Sequence, residues 1–335
     1  MMGDREPAPN LAAEVAALHN PDLGQTMIFD PGLGFDEMTA RLSGLGFQCE
    51  PVPAMMPSLL EGEPSSAAFS FGGARPFLDY RFNPVARLRV LEMATAPPLM
   101  RQRIARAMPQ LTLGALRQNL GAALDRDVLR AIWGLVELED VSATEAIAAL
   151  AAHPSGPVAQ EAVLAAERLR SVNAARVKVL GGMRMAALAA RDMIRAIATD
   201  SQALLARPED AAELFTEDIA NVIAASLKAV PLVLPDRLPA APDDVAAITA
   251  APAGLLRWDN MLSRPFPTGY RTVAGWMKPD RVWVTWRGSD LRGQSGPDTL
   301  WDGLVFLGNR WVWFPRPFRQ IAAHLGTAWA EPLSP

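Results

Sequence analysis

Apolar and polar positions follow three rhythms along this chain, and each predicts a different kind of element. Near the start, the short apolar run Thr26–Phe29 stops at Asp30-Pro31-Gly32, which predicts a strand ending in a turn. Phe35, Met38, Leu42 and Leu45 then recur at helical spacing, with Gly46 where a helix end favours a left-handed residue. Ala67–Phe71 and Phe77–Phe82 read as two more strands, separated by Gly72-Gly73-Ala74-Arg75-Pro76. Residues 1–10 read as a frayed terminus and Leu11–Leu18 as a short helix. A small α/β unit is expected over residues 1–84.

From 85 to 230 the period is helical. Segments 98–108, 112–121, 125–138, 143–152 and 157–170 are each one helix long, divided by polar, Pro or Gly breaks. Ala174–Ala206 predicts one long helix. Its apolar seam is Val179, Met183, Ala186, Ala190, Met193 and Ile197, and Gly181-Gly182 marks either a kink or a close helix contact. The seam raises a homodimer through residues 174–206; a helix lying across its neighbours suits the small alanines better. Pro208, Glu209 and Asp210 open a further helix with Phe215, Ile219, Val222, Ile223 and Leu227 on its apolar face. Pro231, Pro235, Pro239, Pro242 and Pro252 then mark residues 231–252 as a linker, interrupted by one short helix at Asp243–Thr249.

Residues 253–335 change rhythm again, to strands. Arg281–Arg287 sets Val282, Val284 and Trp286 on one face, and Leu304–Leu307 with Arg310–Phe314 flanks the hairpin turn Gly308-Asn309. Tyr270–Met277 reads as a fourth strand and Phe318–Leu325 as a closing helix. Trp311 and Trp313 alternate with Val312 and Phe314, so both hairpin faces are apolar. One face is expected to fill the module's core and the other to dock on helices. The expected fold class is α+β, mainly α: a small α/β unit, a helical body of repeats or a bundle, and a Trp-rich antiparallel β module.

An internal echo runs through the helical body. Asp125–Leu138 (DRDVLRAIWGLVEL) and Gly156–Leu169 (GPVAQEAVLAAERL) align at an offset of 31 residues, matching Ala131 with Ala162, Ile132 with Val163 and Leu138 with Leu169. With Thr144–His153 between them, and the phrase AHPSGPVAQEAVLAAERL carrying most of the likeness, residues 98–170 resemble HEAT-like helical repeats. That resemblance implies stacked helix pairs and a surface that binds other macromolecules.

Composition sharpens this picture. Half the residues are apolar and a fifth charged, the balance of a globular protein. Eight of the nine tryptophans lie after residue 257, which ties the aromatic content to the strand-rich end. The net charge of −4 is uneven: from Arg257 onward ten Lys or Arg face six Asp or Glu. That mild excess is too small to point to nucleic acid. Only three of the basic residues are lysines, a bias expected of a GC-rich bacterial coding sequence. The single Cys49 rules out an intramolecular disulfide framework and a multi-cysteine metal site. The polar amino terminus and the interrupted run Ile219–Pro235 predict no membrane segment, and a cytoplasmic location is expected.

No motif names a reaction. His19, His153 and His324 lack second ligands at helical spacing, so no metal or other cofactor is expected. The glycine pairs lack a phosphate-loop context, and Cys49 has no marked base. Asp259, Asp280, Asp290, Asp298 and Asp302 would supply a carboxylate pair, but only their separation decides such a mechanism. The feature that points to binding is the interleaving of arginines with rings. Trp258, Trp286, Arg287, Trp301, Trp311, Trp313 and Arg316 are the candidate ligand- or partner-binding residues. The chain is read as a non-catalytic scaffold whose helices meet a protein partner. The alternative is a ligand-binding or hydrolytic protein, with an aromatic pocket between helices and β module near Trp258, Trp286, Trp301 and Trp311.

Overall fold

The computed structural model describes residues 18, 25–50, 63–71, 76–93, 98–233, 236–293, 296 and 298–324. The expected helix at Leu11–Leu18 lies outside these residues, except for Leu18 itself. The chain divides into two compact units, Met1–Val177 and Lys178–Pro335.

The first unit holds a five-stranded antiparallel sheet of β1 (Thr26–Phe29), β2 (Phe47–Cys49), β3 (Ser66–Phe71), β4 (Pro76–Asn83) and β5 (Leu88–Glu92). Their spatial order is β1-β5-β4-β3-β2. Helix α1 (Phe35–Gly44) buries Phe35, Met38 and Leu42, as its spacing predicts. Gly46 follows at φ 95°, donating its N–H to the Ser43 carbonyl at 2.9 Å. Strand β5 corrects the expectation that residues 85–230 are helical throughout. Arg89 in its middle has the look of a surface residue, yet its guanidinium is mostly buried against Glu63, at 2.5 Å from Nη2 to Oε2. Tyr80 also donates its hydroxyl to Glu63, and burial, then that carboxylate, pushes the phenol well above its usual range.

Four helices follow: α2 (Pro98–Ala107), α3 (Leu113–Asn119), α4 (Asp125–Glu137) and α5 (Thr144–Ala149). Helix α4 packs Val128, Ile132 and Leu135 against Ile28 and Leu88 of the sheet and against Ile147 and Ala162. Gly134 permits the close approach of α3: a Cβ there would sit 2.6 Å from Leu116 Cδ2. Of the residues matched by the 31-residue echo, Ala131, Ala162, Leu138 and Leu169 are buried, and so is Ile132, whereas Val163 is 45% exposed.

The segments 157–170 and 174–206, read separately from the sequence, are one helix, α6 (Gly156–Leu204). No proline lies between Pro157 and Pro208, and the intervening polar residues Ser171 and Asn173 are tolerated in a helix whose flanks are packed. Its non-helical point is Asp200 (φ −140°, ψ 43°), not the glycine pair. Gly181 and Gly182 also face open space instead of a helix contact.

In the second unit, Ala187, Ala190, Ile194 and Ile197 of α6 pack on a four-stranded antiparallel sheet through Ile248, Ala250, Val284, Trp286, Leu304 and Trp313. The buried seam keeps Ala190 and Ile197 of the expected one but takes Leu180, Ala187 and Ile194 in place of Val179, Ala186 and Met193, which are only partly buried. The sheet order is β6 (Ile248–Pro252), β7 (Val282–Arg287), β8 (Leu300–Phe306), β9 (Trp311–Trp313). The opposite face is closed by rings: Phe215 meets Phe314 at 5.7 Å, and Tyr270 meets Trp283 at 6.0 Å and Phe318 at 5.5 Å. Both apolar faces of the hairpin are thus covered within this unit.

Strand β6 corrects the reading of 231–252 as a linker. Pro252 sits at the strand's end, and the expected helix at Asp243–Thr249 shrinks to a 3-10 turn, Val245–Ala247. The Asp244 carboxylate caps that turn, accepting from the Ala246 N–H at 2.8 Å. Helices α7 (Ala211–Leu214) and α8 (Glu217–Ala229) are split at Phe215, and Val222 of α8 is exposed. After α9 (Ala253–Leu256), the expected strand Tyr270–Met277 is instead helix α10 (Gly269–Val273) and a 3-10 turn, Ala274–Trp276. Tyr270 and Val273, three apart, are both buried, so a β-type composition serves a helical spacing. The chain closes with α11 (Pro317–His324). Among the described residues no helix is long and apolar enough to cross a membrane.

Candidate functional site

In the second unit, a cleft of about 410 Å³ opens beside β8 and β9. Its apolar wall is Val230–Val233; its polar floor and rim are Asp302, Arg316, Arg319 and Gln320, with Trp301 and Trp313 beside them. Gly303 builds this corner. At φ 93° it takes a conformation that disfavours side chains, and a Cβ there would lie 2.0 Å from the Phe314 carbonyl oxygen. The close approach lets Phe314 donate its N–H to Gly303 at 2.7 Å. Trp313 Nε1 donates to the Asp302 carbonyl at 3.1 Å, and Trp301 Nε1 to Gly288 at 2.9 Å, so both indoles are pinned.

Asp302 is the centre of the site and is only 6% exposed. Its Oδ1 accepts the Tyr270 hydroxyl at 3.0 Å and the Arg316 N–H at 2.9 Å. Burial pushes the Asp302 carboxyl above its usual range; the hydrogen bonds and the charges of Arg316 and Arg319 pull the other way and only partly offset it. Burial and then Asp302 raise the Tyr270 hydroxyl well above its ordinary value. Arg316 itself has φ 52°, an uncommon backbone state for a side-chain-bearing residue, held by the hydrogen bond to Asp302.

The raised carboxyl has a stability consequence whose sign follows from linkage. The folded state holds the Asp302 proton more tightly than the unfolded chain, whose aspartates titrate near about 3.9. The resulting stabilisation is full below that value and is lost as pH rises through the folded one. Asp302→Asn keeps the acceptor without the charge. Urea unfolding is therefore expected to show the variant gaining on the natural protein between about pH 4 and about pH 7. A stability difference that stays constant or shrinks over that interval would contradict the buried, proton-favouring setting.

The structure gathers three of the seven candidate residues, Trp301, Trp313 and Arg316, at this cleft. Trp286 is instead in the core beneath α6. Trp258 is buried under the Arg257 guanidinium, 5.5 Å from its ring. Trp311 packs on Phe306 at 5.2 Å, and Arg287 is exposed, donating to the Asp298 carbonyl at 3.2 Å. Of the five aspartates, Asp302 alone lines the cleft. Asp259 is held by Arg271 at 2.6 Å and Arg264 at 3.2 Å, and Asp290 is buried in a turn. No second carboxylate faces Asp302 among the described lining residues, so paired-carboxylate hydrolysis has no partner group here. Arg319 and Tyr270 were missed. Arg319 lies three residues after Arg316 at the start of a helix, a spacing that gives a readable signal; Tyr270 was hidden by its strand-like neighbours.

Elsewhere the expected chemistry is modest. His153 Nδ1 accepts the Ser155 N–H at 3.1 Å at the start of α6, a capping role. Burial, then Glu50, pushes the Cys49 thiol up, away from the reactive thiolate. Among the described residues no group of three His, Cys, Asp or Glu could hold a metal ion. Compared with known proteins, the chain matches no family model, no curated protein and no solved structure.

Proposed function

We propose that the second unit is a non-catalytic ligand-binding module whose cleft takes a small molecule with a flat apolar body and an anionic group. One observation carries this reading: Arg316 and Arg319 line the same cleft as a buried, proton-favouring Asp302 and act on it through their charges, in a cleft walled by Val230–Val233 and two tryptophans. Arginine forks suit carboxylate or phosphate oxygens, and the apolar wall suits a ring or chain. Asp302 offers a hydrogen bond to a polar edge of the ligand. The left-handed Arg316 supports the same reading, because strained backbone clusters at binding sites.

Phenyl phosphate and its neutral counterpart phenol are suitable probes for calorimetric titration. Saturable binding of phenyl phosphate is expected, weakened at least about tenfold in Arg316→Ala/Arg319→Ala, about 1.4 kcal/mol. Phenol is expected to be indifferent to the substitutions. No binding of phenyl phosphate, or equal affinity in both proteins, would refute the reading. A scaffold role for the HEAT-like stretch is a second reading, supported by Val163 and Leu164, exposed side by side on α6.

A further inference from the structure

The long helix α6 keeps an apolar face that the packing of the described residues does not use. Val177 is 36% exposed, Leu188 50% and Met185 66%. With Ala174 and Gly181 they fall within about 40° of one line along the helix, turned away from the buried Ala187, Ala190 and Ile194. A Cβ on Gly181 would meet nothing within 4 Å.

The charges bordering this face indicate what covers it. Counting outward from Gly181, Arg170 and Asp192 are equidistant, and so are Glu167 and Arg195, each pair opposite in sign. All four are exposed. We propose that this face binds a second copy of the chain, the two α6 helices running antiparallel about a two-fold axis at Gly181. A two-fold axis brings each residue against the one equally far on the other side. Arg170 then meets Asp192 of the second copy, Glu167 meets Arg195, and symmetry repeats both pairs. Val177 faces Met185 and Ala174 faces Leu188, while Gly181 lets the backbones approach at the crossing. A parallel pair would set Glu167, Arg170, Asp192 and Arg195 each against its own copy, so the charge pattern selects the antiparallel arrangement. Asp192 and Arg195 are already linked across one turn at 3.2 Å, and the second copy extends that network. Lys178 and Arg184 flank the crossing on opposite sides of the line, where their long side chains reach solvent.

Sedimentation of the full chain over a concentration series tests this. A concentration-dependent dimer is expected. Glu167→Arg alone or Arg195→Glu alone weakens it at least about fivefold, and the double variant Glu167→Arg/Arg195→Glu restores it. Met185→Glu/Leu188→Glu abolishes the dimer while leaving the circular dichroism melting curve in place, since both side chains are exposed in the monomer. A natural protein that stays monomeric throughout, a swap no better than the single changes, or a dimer indifferent to Met185→Glu/Leu188→Glu would each overturn the proposal.

Discussion

Gly303→Ala is expected to be among the most damaging single-methyl additions this protein can receive. The left-handed backbone alone costs about 1–2 kcal/mol for a residue with a side chain. The larger effect is steric: the new Cβ would sit 2.0 Å from the Phe314 carbonyl oxygen, which belongs to rigid backbone and not to a side chain that can swing away. Relief requires β8 and the chain after β9 to separate, breaking the Phe314–Gly303 hydrogen bond and loosening the pinned Trp313. A loss of about 4 kcal/mol or more follows, lowering Tm by roughly 10 °C for a unit of this size. Gly182→Ala is the control. That position is helical and open, and the same added methyl is expected to stabilise by up to about 1 kcal/mol. Calorimetry on both variants checks the contrast. Equal melting temperatures would mean that the tight corner at Gly303 does not exist.

The second large effect belongs to the first unit. Glu63→Ala removes the acceptor of both the Tyr80 hydroxyl and the Arg89 guanidinium, leaving a cation whose side chain is 12% exposed without its partner. Breaking a buried pair from one side costs about 3–5 kcal/mol, because the remaining charge keeps its desolvation penalty. Arg89→Leu together with Glu63→Leu should be much milder, since no orphaned charge remains. Urea unfolding of the single and double variants separates these cases, and a double variant as damaged as the single one would refute the ion-pair account.

How much of this was legible in the sequence depended on whether one period ruled a segment. Thr26–Phe29, the helix at Phe35 and the strand Val282–Arg287 were readable because a single rhythm ran from end to end. Strand β5 was hidden by Arg89, whose burial depends on a glutamate 26 residues away that no local pattern reveals. Strand β6 was hidden by its terminal Pro252 and the prolines before it, and α10 by aromatic and β-branched residues serving a helical spacing. At the site, Trp301, Trp313 and Arg316 were visible as an arginine and ring cluster. The placement of Trp286 in the core and of Asp302 beside Tyr270 depends on strand register and on the corner at Gly303. Tertiary geometry decides which aromatic residues are core and which line a cleft.

The cleft is tested most directly by following the indole N–H signals of the tryptophans by NMR while phenyl phosphate is added to the natural protein. The Trp301 and Trp313 signals are expected to shift together along one saturation curve, with those of Trp133 and Trp258, which do not line the cleft, unmoved. No saturable shift, or a response centred on Trp133 or Trp258, would contradict a ligand site at Asp302, Arg316 and Arg319.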